Sequence, residues 1–390
     1  MRCKVIVPVV QNGRLESTDV YRKVVMSEVE VIVPAVAESS YKIHIGSGII
    51  SALWPQLEKQ HPQSQKFVVT DANLVSAGHL QNLVGKNNVP TFVIDPPGEV
   101  SKHINTVVSI IETMEKAFLG RDSLIVALGG GTVGDIAGFA AAIFKRGIKV
   151  VHIPTTTVAQ ADSSVGGKTG VDSTISKNAF GAFWQPTAVY IDVETLKTLD
   201  DRQYRAGLVE SVKHALIADS AYFNFLETNM SALLNRDSAV LEEIAYKNCK
   251  IKAAVVAEDP TEKNKRRILN FGHTIGHAAE SVSEFELLHG EAVAIGIIGA
   301  ELIARKLDLA DDNRLDRIKK PLKKLGVPVR IPATLAKKDL INTMKCDKKA
   351  VGQWPKFVLL ENIGVALCRN GQWAHDISKD VVAETLDALY

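Results

Sequence analysis

The sequence predicts an α/β N-terminal domain with a largely parallel, Rossmann-like sheet, joined to an α-helical C-terminal domain. Three observations predict it. Short β-branched runs alternate with helix-length stretches up to about residue 199. One of those runs leads straight into a glycine turn in GxGxxG spacing. Beyond it, long helical patterns dominate. The expected division is an extension at 1–28, an α/β domain at 29–199 and a mainly helical domain at 200–390.

The opening segment, MRCKVIVPVVQNGR, has one apolar patch, Val5 to Val10, interrupted by Pro8. It reads as a strand or a ragged extension, too short and too broken for a signal peptide. Strands are expected at Val29–Val33, Tyr41–Ile45, Phe67–Val69, Thr91–Ile94, Leu124–Leu128, Val150–Ile153 and Ala188–Ile191. Helices are expected between them at His103–Phe118 and from near Asp135 to Ala142. The second half predicts helices at Arg205–Leu216, Leu233–Val256, His273–Val282, Glu291–Lys306 and Asp312–Leu325. One late strand pair is expected, near Lys356–Leu360 and Val365–Cys368. No internal repeat or low-complexity linker separates the halves, so the cleft between them is the default site.

The chain has 390 residues, 46% of them hydrophobic and 23% charged, as soluble globular proteins do. A formal net charge of +2 implies no polyelectrolyte partner, so neither nucleic acid nor a membrane surface is expected. No apolar run approaches the roughly 20 residues that span a bilayer. The four cysteines, Cys3, Cys249, Cys346 and Cys368, form no CxxC pair. That excludes a zinc ribbon or disulfide framework and points to a reducing, cytoplasmic compartment.

Chemistry is concentrated in RRILNFGHTIGHAAESVSEFELLHGE, residues 266–291. His273 and His277 are four apart and share a helix face, and His289 follows after a loop-like stretch. One histidine would read as a satisfied core residue. Three, beside Arg266, Asn270 and Glu291, read as a divalent-metal or proton-transfer site. A carboxylate such as Glu210 would complete a three-ligand centre with an open position, and spacing alone leaves open which two histidines ligate. Glu210 and Lys213, three apart on an otherwise apolar helix face, read equally as a simple ion pair.

The glycine turn Gly129-Gly-Gly-Thr-Val-Gly134-Asp135 fits a phosphate near a helix N-terminus. Alone it is weak, because tight strand–helix turns also use glycine for packing. The next strand ends in Pro154-Thr-Thr-Thr157, without the acidic residue that would take a ribose hydroxyl. Asp162 to Gly170, DSSVGGKTG, reads as a second glycine-rich loop carrying Lys168 but lacking Walker spacing. Arg146 before it and Lys177-Asn178 after it suggest phosphate contacts, and the bland alternative is surface charge.

Together, PPGEVSK, LIVALGGGTVGDIAGFAAA, FKRG, PTTTVAQADSSVGGKTGV, KNAFGAFWQP, GLVESVKHALI, ILNFGHTIGHAAE, LLHGEAVAIG and DKK resemble the 3-dehydroquinate synthases, members of the sugar-phosphate cyclase family. They keep the family's order from about Val29 to the C-terminus. The resemblance implies conversion of 3-deoxy-D-arabino-heptulosonate 7-phosphate to 3-dehydroquinate and phosphate, in the shikimate pathway of aromatic amino acid biosynthesis. It implies transient oxidation by catalytic NAD, β-elimination of phosphate, re-reduction and an intramolecular aldol closure. It also implies one divalent metal, zinc or cobalt, and a homodimer.

Carried onto this sequence, the resemblance assigns Glu210, His273 and His289 to the metal and leaves His277 for proton transfer or hydroxyl contact. It makes Lys168, Lys213, Arg266, Asn270 and His277 catalytic. Substrate contacts would add Arg146, Asp162, Asn178, Lys252, Lys348 and Lys349. For NAD it points to Asp71, Asn73, Glu99 and Lys102. It adds the turn Gly130, Gly131, Thr132, Val133, Gly134 and Asp135, then Thr155, Thr156 and Lys177. Thr195, Leu196, Lys197, Thr198 and Leu199 complete the set. Asp172, Ser176 and Lys145 stand where the family commonly has asparagine, glycine and a neutral residue, and none is a mapped functional position. The intact carboxylate-directed set disfavours the cyclitol-forming cousins but does not separate the ordinary substrate from its amino analogue. A metal-dependent alcohol dehydrogenase would need fewer phosphate-directed cations and would release NADH. A catalytically silent relative would have lost a ligand.

Overall fold

Six parallel strands stand close to where the β-branched runs lie in the sequence. The structure, a computed structural model, describes residues 5–11, 14–20, 40–284, 286–346 and 354–390. The expected strand at Val29–Val33 lies outside the described residues, as do Lys348 and Lys349. Residues Met1–Ser39 form a unit of their own, in which β1 (Val5–Gln11) and β2 (Arg14–Val20) pair as an antiparallel hairpin.

In the unit Ser40–Tyr390 the first half alternates as expected. It runs β3 (Lys42–Gly46), α1 (Ile50–Gln60), β4 (Lys66–Asp71), α2 (Ala72–Ser76), α3 (His79–Val84) and β5 (Thr91–Ile94). Then come α4 (Ile104–Lys116), β6 (Leu124–Gly129), α5 (Gly131–Ile143), β7 (Lys149–Pro154), the short strands β8 (Lys168–Val171) and β9 (Phe180–Phe183), and β10 (Ala188–Asp192). The sheet order is β3-β10-β7-β6-β4-β5, parallel throughout. Strand β6 is buried along its length, with Ile125 and Ala127 in one apolar cluster and Leu124, Val126 and Leu128 in another. Both faces of the sheet are therefore covered, as a parallel sheet requires. Chain order reverses between β4 and β6, which opens a crevice at their carboxyl ends, beside Asp71 and Gly129.

The second half comprises α6 (Asp201–Ala218), α7 (Ser220–Leu234), α8 (Ser238–Glu258), α9 (His273–Val282), α10 (His289–Lys306), α11 (Asp312–Leu325) and α12 (Lys337–Cys346). Short strands β11 (Lys356–Phe357), β12 (Leu360–Asn362), β13 (Val365–Ala366) and β14 (His375–Asp376) precede α13 (Lys379–Leu389). Helix α10 is buried from Gly290 to Ala304, and α6 from Ala206 to Ile217. Their core also takes in Val189, Ile191 and Val193 at the edge of the sheet half.

Four expectations need correction. Helix α5 starts at Gly131, four residues before Asp135. Leu233–Val256 is not one helix. Asp237 caps the start of α8 by accepting from Val240 N, and Arg236 before it has φ +58°. The stretch 162–170 is not one loop: Asp162 sits in a helical turn, and Lys168–Val171 pairs antiparallel with Phe180–Phe183. The late strands form two separate pairs, β11 with β14 and β12 with β13.

Candidate active site

Glycines decide how closely the helices approach. A Cβ on Gly290 would lie 1.8 Å from Ala206 O, and one on Gly296 1.7 Å from Gly272 O. Only glycine allows such backbone contact, so α10 lies directly against α6 and against the start of α9. Glu291 tightens the junction: it accepts from Leu288 N at 2.9 Å and is gripped by Arg202 Nε and Nη2 at 2.8 and 2.7 Å. It therefore belongs to packing at the start of α10.

This packing gathers Glu210 from α6, His273 from α9 and His289 from α10. One ligand atom from each lies within 4.8 Å of the others. Glu210 Oε1 is 3.5 Å from His289 Nε2 and 3.9 Å from His273 Nε2. His273 Nδ1 lies 3.1 Å from Phe271 O, so donation there leaves Nε2 with its lone pair toward the centre. Burial would raise the Glu210 carboxyl, but Lys213, His289 and His273 hold it below the usual range. Burial and Lys213 keep His273 neutral by lowering it well below the ordinary value. Burial opposes charge on His289 too, yet contacts with Glu210 and Glu280 outweigh it and push the imidazolium up to about 10. His277 is exposed, its ring centroid 5.0 Å from His273 and 5.9 Å from His289.

The cations lie around this cluster. Lys213 is buried and ion-paired with Glu210. Lys252 is buried, 2.8 Å from Asp162 Oδ1, with His214 Nε2 3.6 Å from the same oxygen. Burial would raise Asp162, but Lys252 and Lys213 hold it well below its ordinary value. The Arg266 guanidinium is buried, donating to Pro260 O at 2.6 Å and Gly166 O at 3.2 Å. Asn270 Nδ2 donates to Glu262 Oε1 at 2.8 Å, and Lys168 pairs with the other oxygen of Glu262. Asn178 is exposed, its backbone N–H bonded to Asp172 Oδ1. Arg146 is exposed at φ +70° and makes no hydrogen bond or ion pair among the described residues.

The glycine turn lies at the carboxyl end of β6. A Cβ on Gly130 would approach Thr156 Cγ2 to 2.9 Å, and one on Gly131 would approach Ser163 Oγ to 3.0 Å. Val133 is buried in the core, while Thr132 and Gly134 are partly exposed at the turn. Lys102 Nζ pairs with Asp135 Oδ2 at 2.6 Å, and Glu99 Oε2 accepts from Thr132 Oγ1 at 3.2 Å. Asp71 ends β4 and caps α2 by accepting from Leu74 N, with Asn73 in the same turn. Thr155 is buried, and Thr156 Oγ1 accepts from Ala159 N. In the turn Val193–Thr198, Thr195 and Leu196 are buried, Thr198 meets His79 at 2.6 Å, and Lys197 pairs with Glu194. Leu199 packs against the helical core.

Residues 91–206 match the family model described as 3-dehydroquinate synthase N-terminal, and residues 207–350 the model described as 3-dehydroquinate synthase C-terminal. The chain is 41% identical to the 3-dehydroquinate synthase of Symbiobacterium thermophilum over 357 residues, 90% of this chain and 98% of that one. The chain belongs to the 3-dehydroquinate synthase family. It is also 50% identical to the 3-dehydroquinate synthase of Acetivibrio thermocellus over 271 residues, covering 70% of this chain and 75% of that one. Among solved structures, a 2-epi-5-epi-valiolone synthase from Streptomyces hygroscopicus subsp. jinggangensis, with NAD+ and Zn2+ bound, superposes with a TM-score of 0.82. The two are 27% identical, and the match covers 92% of this chain and 99% of that one.

Sequence reasoning missed two carboxylates. Glu262 joins Lys168 to Asn270, and Glu280 joins Lys177 to His289, each pair at 3.5 Å or less. Glu280 lies in GHTIGHAAE, but its partner Lys177 is 103 residues away, so no local pattern signals the contact.

Proposed function

We propose that this chain is a 3-dehydroquinate synthase. It converts 3-deoxy-D-arabino-heptulosonate 7-phosphate to 3-dehydroquinate and phosphate, using NAD and one zinc or cobalt ion. The observation that carries this reading is the convergence of Glu210, His273 and His289 on one point, ringed by buried cations. The residues fit both groups. Glu210 Oε2 is held by Lys213, while Oε1 is buried, accepts no hydrogen bond among the described residues and faces Nε2 of both His273 and His289, as a carboxylate oxygen that takes a metal would. The start of α5 at Gly131, directly after the carboxyl end of β6, presents the free N–H groups of a helix N-terminus, which suit a pyrophosphate.

When bound, NAD would supply reversible hydride transfer and the metal Lewis acidity at the substrate hydroxyl. The residues then divide the work. Glu210, His273 and His289 hold the metal. His277, exposed beside both ligand histidines, exchanges a proton with the substrate. Arg266, Lys252, Lys168, Asn270, Lys213, Asn178 and the Lys348-Lys349 pair bind its carboxylate and phosphate, with Asp162 orienting Lys252. Asp71, Asn73, Glu99, Lys102, the turn Gly130–Asp135, Thr155, Thr156, Lys177 and the turn at 195–199 hold NAD. Residues 29–199 form the NAD-binding part and 200–390 the metal- and substrate-binding part. We assign a cytoplasmic homodimer, and Arg146 joins the residues that contact the substrate.

The decisive experiment follows phosphate release from the heptulosonate phosphate with NAD and zinc or cobalt, while recording NADH absorbance. Phosphate without net NADH is the expected result. No phosphate would redirect the reading to the amino analogue or another sugar phosphate. Accumulating NADH would indicate a dehydrogenase.

A further inference from the structure

Glu280 is buried on α9, three residues beyond His277, and the division of work above gives it no part. Its two oxygens face different partners. Oε2 lies 3.5 Å from His289 Nδ1, and Oε1 lies 3.2 Å from Lys177 Nζ. Lys177 Nζ is also 3.2 Å from Glu99 Oε1, and the second Glu99 oxygen accepts from Thr132 Oγ1 in the first turn of α5. On the far side, His289 Nε2 faces Glu210. Polar and charged contacts therefore run unbroken from the glycine turn to the metal cluster, and Glu280 is the central link.

Two plainer roles compete. Glu280 could itself ligate a metal, since atoms of His277, Glu280 and His289 also lie within 4.8 Å of one another. The Lys177 ammonium on its other oxygen opposes a second cation there, and His277 is exposed. Glu280 could also be a neutralised buried charge with no further consequence. Its position argues against that, because its two partners belong to two different ligand sites. A carboxylate on the outer nitrogen of a ligating histidine fixes the tautomer and ring orientation.

We propose that Glu280 is a positioning residue that orients His289 through Nδ1 and, through Lys177, couples occupancy of the metal site to occupancy of the NAD site. This rests on the ligand assignments under Proposed function. NAD ordering Lys177 would fix Glu280, and a fixed Glu280 fixes His289. The coupling is reciprocal, so metal must tighten NAD by the same factor.

The test measures Zn2+ and Co2+ affinity of the full chain by chelator competition, with and without saturating NAD. The parent should bind metal about fivefold or more tighter with NAD. Glu280→Gln should weaken metal binding by about 10- to 100-fold and shrink the NAD effect below about twofold. One metal per chain and an unchanged Co2+ absorption spectrum should remain. Lys177→Met approaches the link from the other side. It should abolish the NAD effect, measured at saturation for that variant, while sparing NAD-free metal affinity. It also keeps the proposal testable if Glu280→Gln misfolds. Parent-like affinity and coupling in Glu280→Gln would overturn the proposal, as would a parent with no NAD effect. A changed Co2+ spectrum would make Glu280 a ligand and overturn it too. His289→Ala separates the levels: if it keeps parent metal affinity, the ligand assignment itself has failed.

Discussion

Two histidines one helical turn apart sit in opposite surroundings, and their expected mutant phenotypes differ accordingly. His273 is buried against Glu210, while His277 is exposed at the rim beside His289. His289→Ala should lose bound metal and phosphate release together. His277→Ala should keep its metal and lose rate by about 10²- to 10⁴-fold, the usual worth of a proton-transfer group. Metal analysis beside the phosphate assay decides it: metal retained in the first variant, or lost in the second, reverses the assignment. A third histidine bears on stability. His152 is buried on β7 beneath the glycine turn, and burial pulls its imidazole down to about 4 from 6.5. Between those values the unfolded chain holds a proton that the folded chain refuses. Stability from this group is complete above about pH 6.5 and drains away as pH falls toward about 4, at up to ~1.4 kcal/mol per unit. His152→Gln should therefore flatten the acid limb of the melting curve in that window. Parallel limbs for variant and parent would show that His152 does not set it.

Among elements, the contacts that assemble the site are those the sequence states least clearly. Runs such as Leu124–Gly129 announce themselves, because a strand buried on both faces must be continuously apolar. The start of α5 is obscured by Gly131, Thr132 and Gly134, poor helix formers that serve the turn. The β8–β9 hairpin is hidden because Gly170 and Gly181 face each other, with Phe180 O only 2.6 Å from where a Gly170 Cβ would stand. The grouping of Glu210, His273 and His289 was expected from the resemblance, whereas spacing alone could not choose among three histidines. Backbone contact between α6 and α10 explains why Glu210 reaches His289, and it gives a test. Gly290→Ala would force a methyl against Ala206 O, so the helices must part. We expect a loss of about 1–3 kcal/mol in stability and at least roughly tenfold weaker metal binding. Gly120→Ala, with nothing within 4 Å of its Cβ, should change neither. Calorimetry and Co2+ titration of both variants check it, and equal behaviour would place the ligand geometry elsewhere than in that contact.

At the scale of the whole molecule, a doubly covered parallel sheet joined to a helical half does not dictate one reaction. Dehydrogenation and cyclisation both need NAD beside a metal, so the choice of substrate must come from the surrounding cations. The chain is nearly neutral overall, yet Lys213, Lys252 and Arg266 are all buried near the cluster. Burying charge is costly unless a partner arrives, and Arg266 Nε has no hydrogen-bond partner among the described residues. A substrate carboxylate would supply that partner. A heptulosonate phosphate whose carboxylate is replaced by a hydroxymethyl group would leave Arg266 Nε without that partner on binding. Its kcat/KM should fall by about 10²-fold or more, because sites built for a polar group reject the analogue that lacks it. Steady-state phosphate release with the two compounds measures this, and the NADH trace should stay flat for both. If the analogue is turned over within about tenfold of the parent compound, these cations serve the phosphate alone, and the site is that of a cyclase acting on uncharged sugar heads.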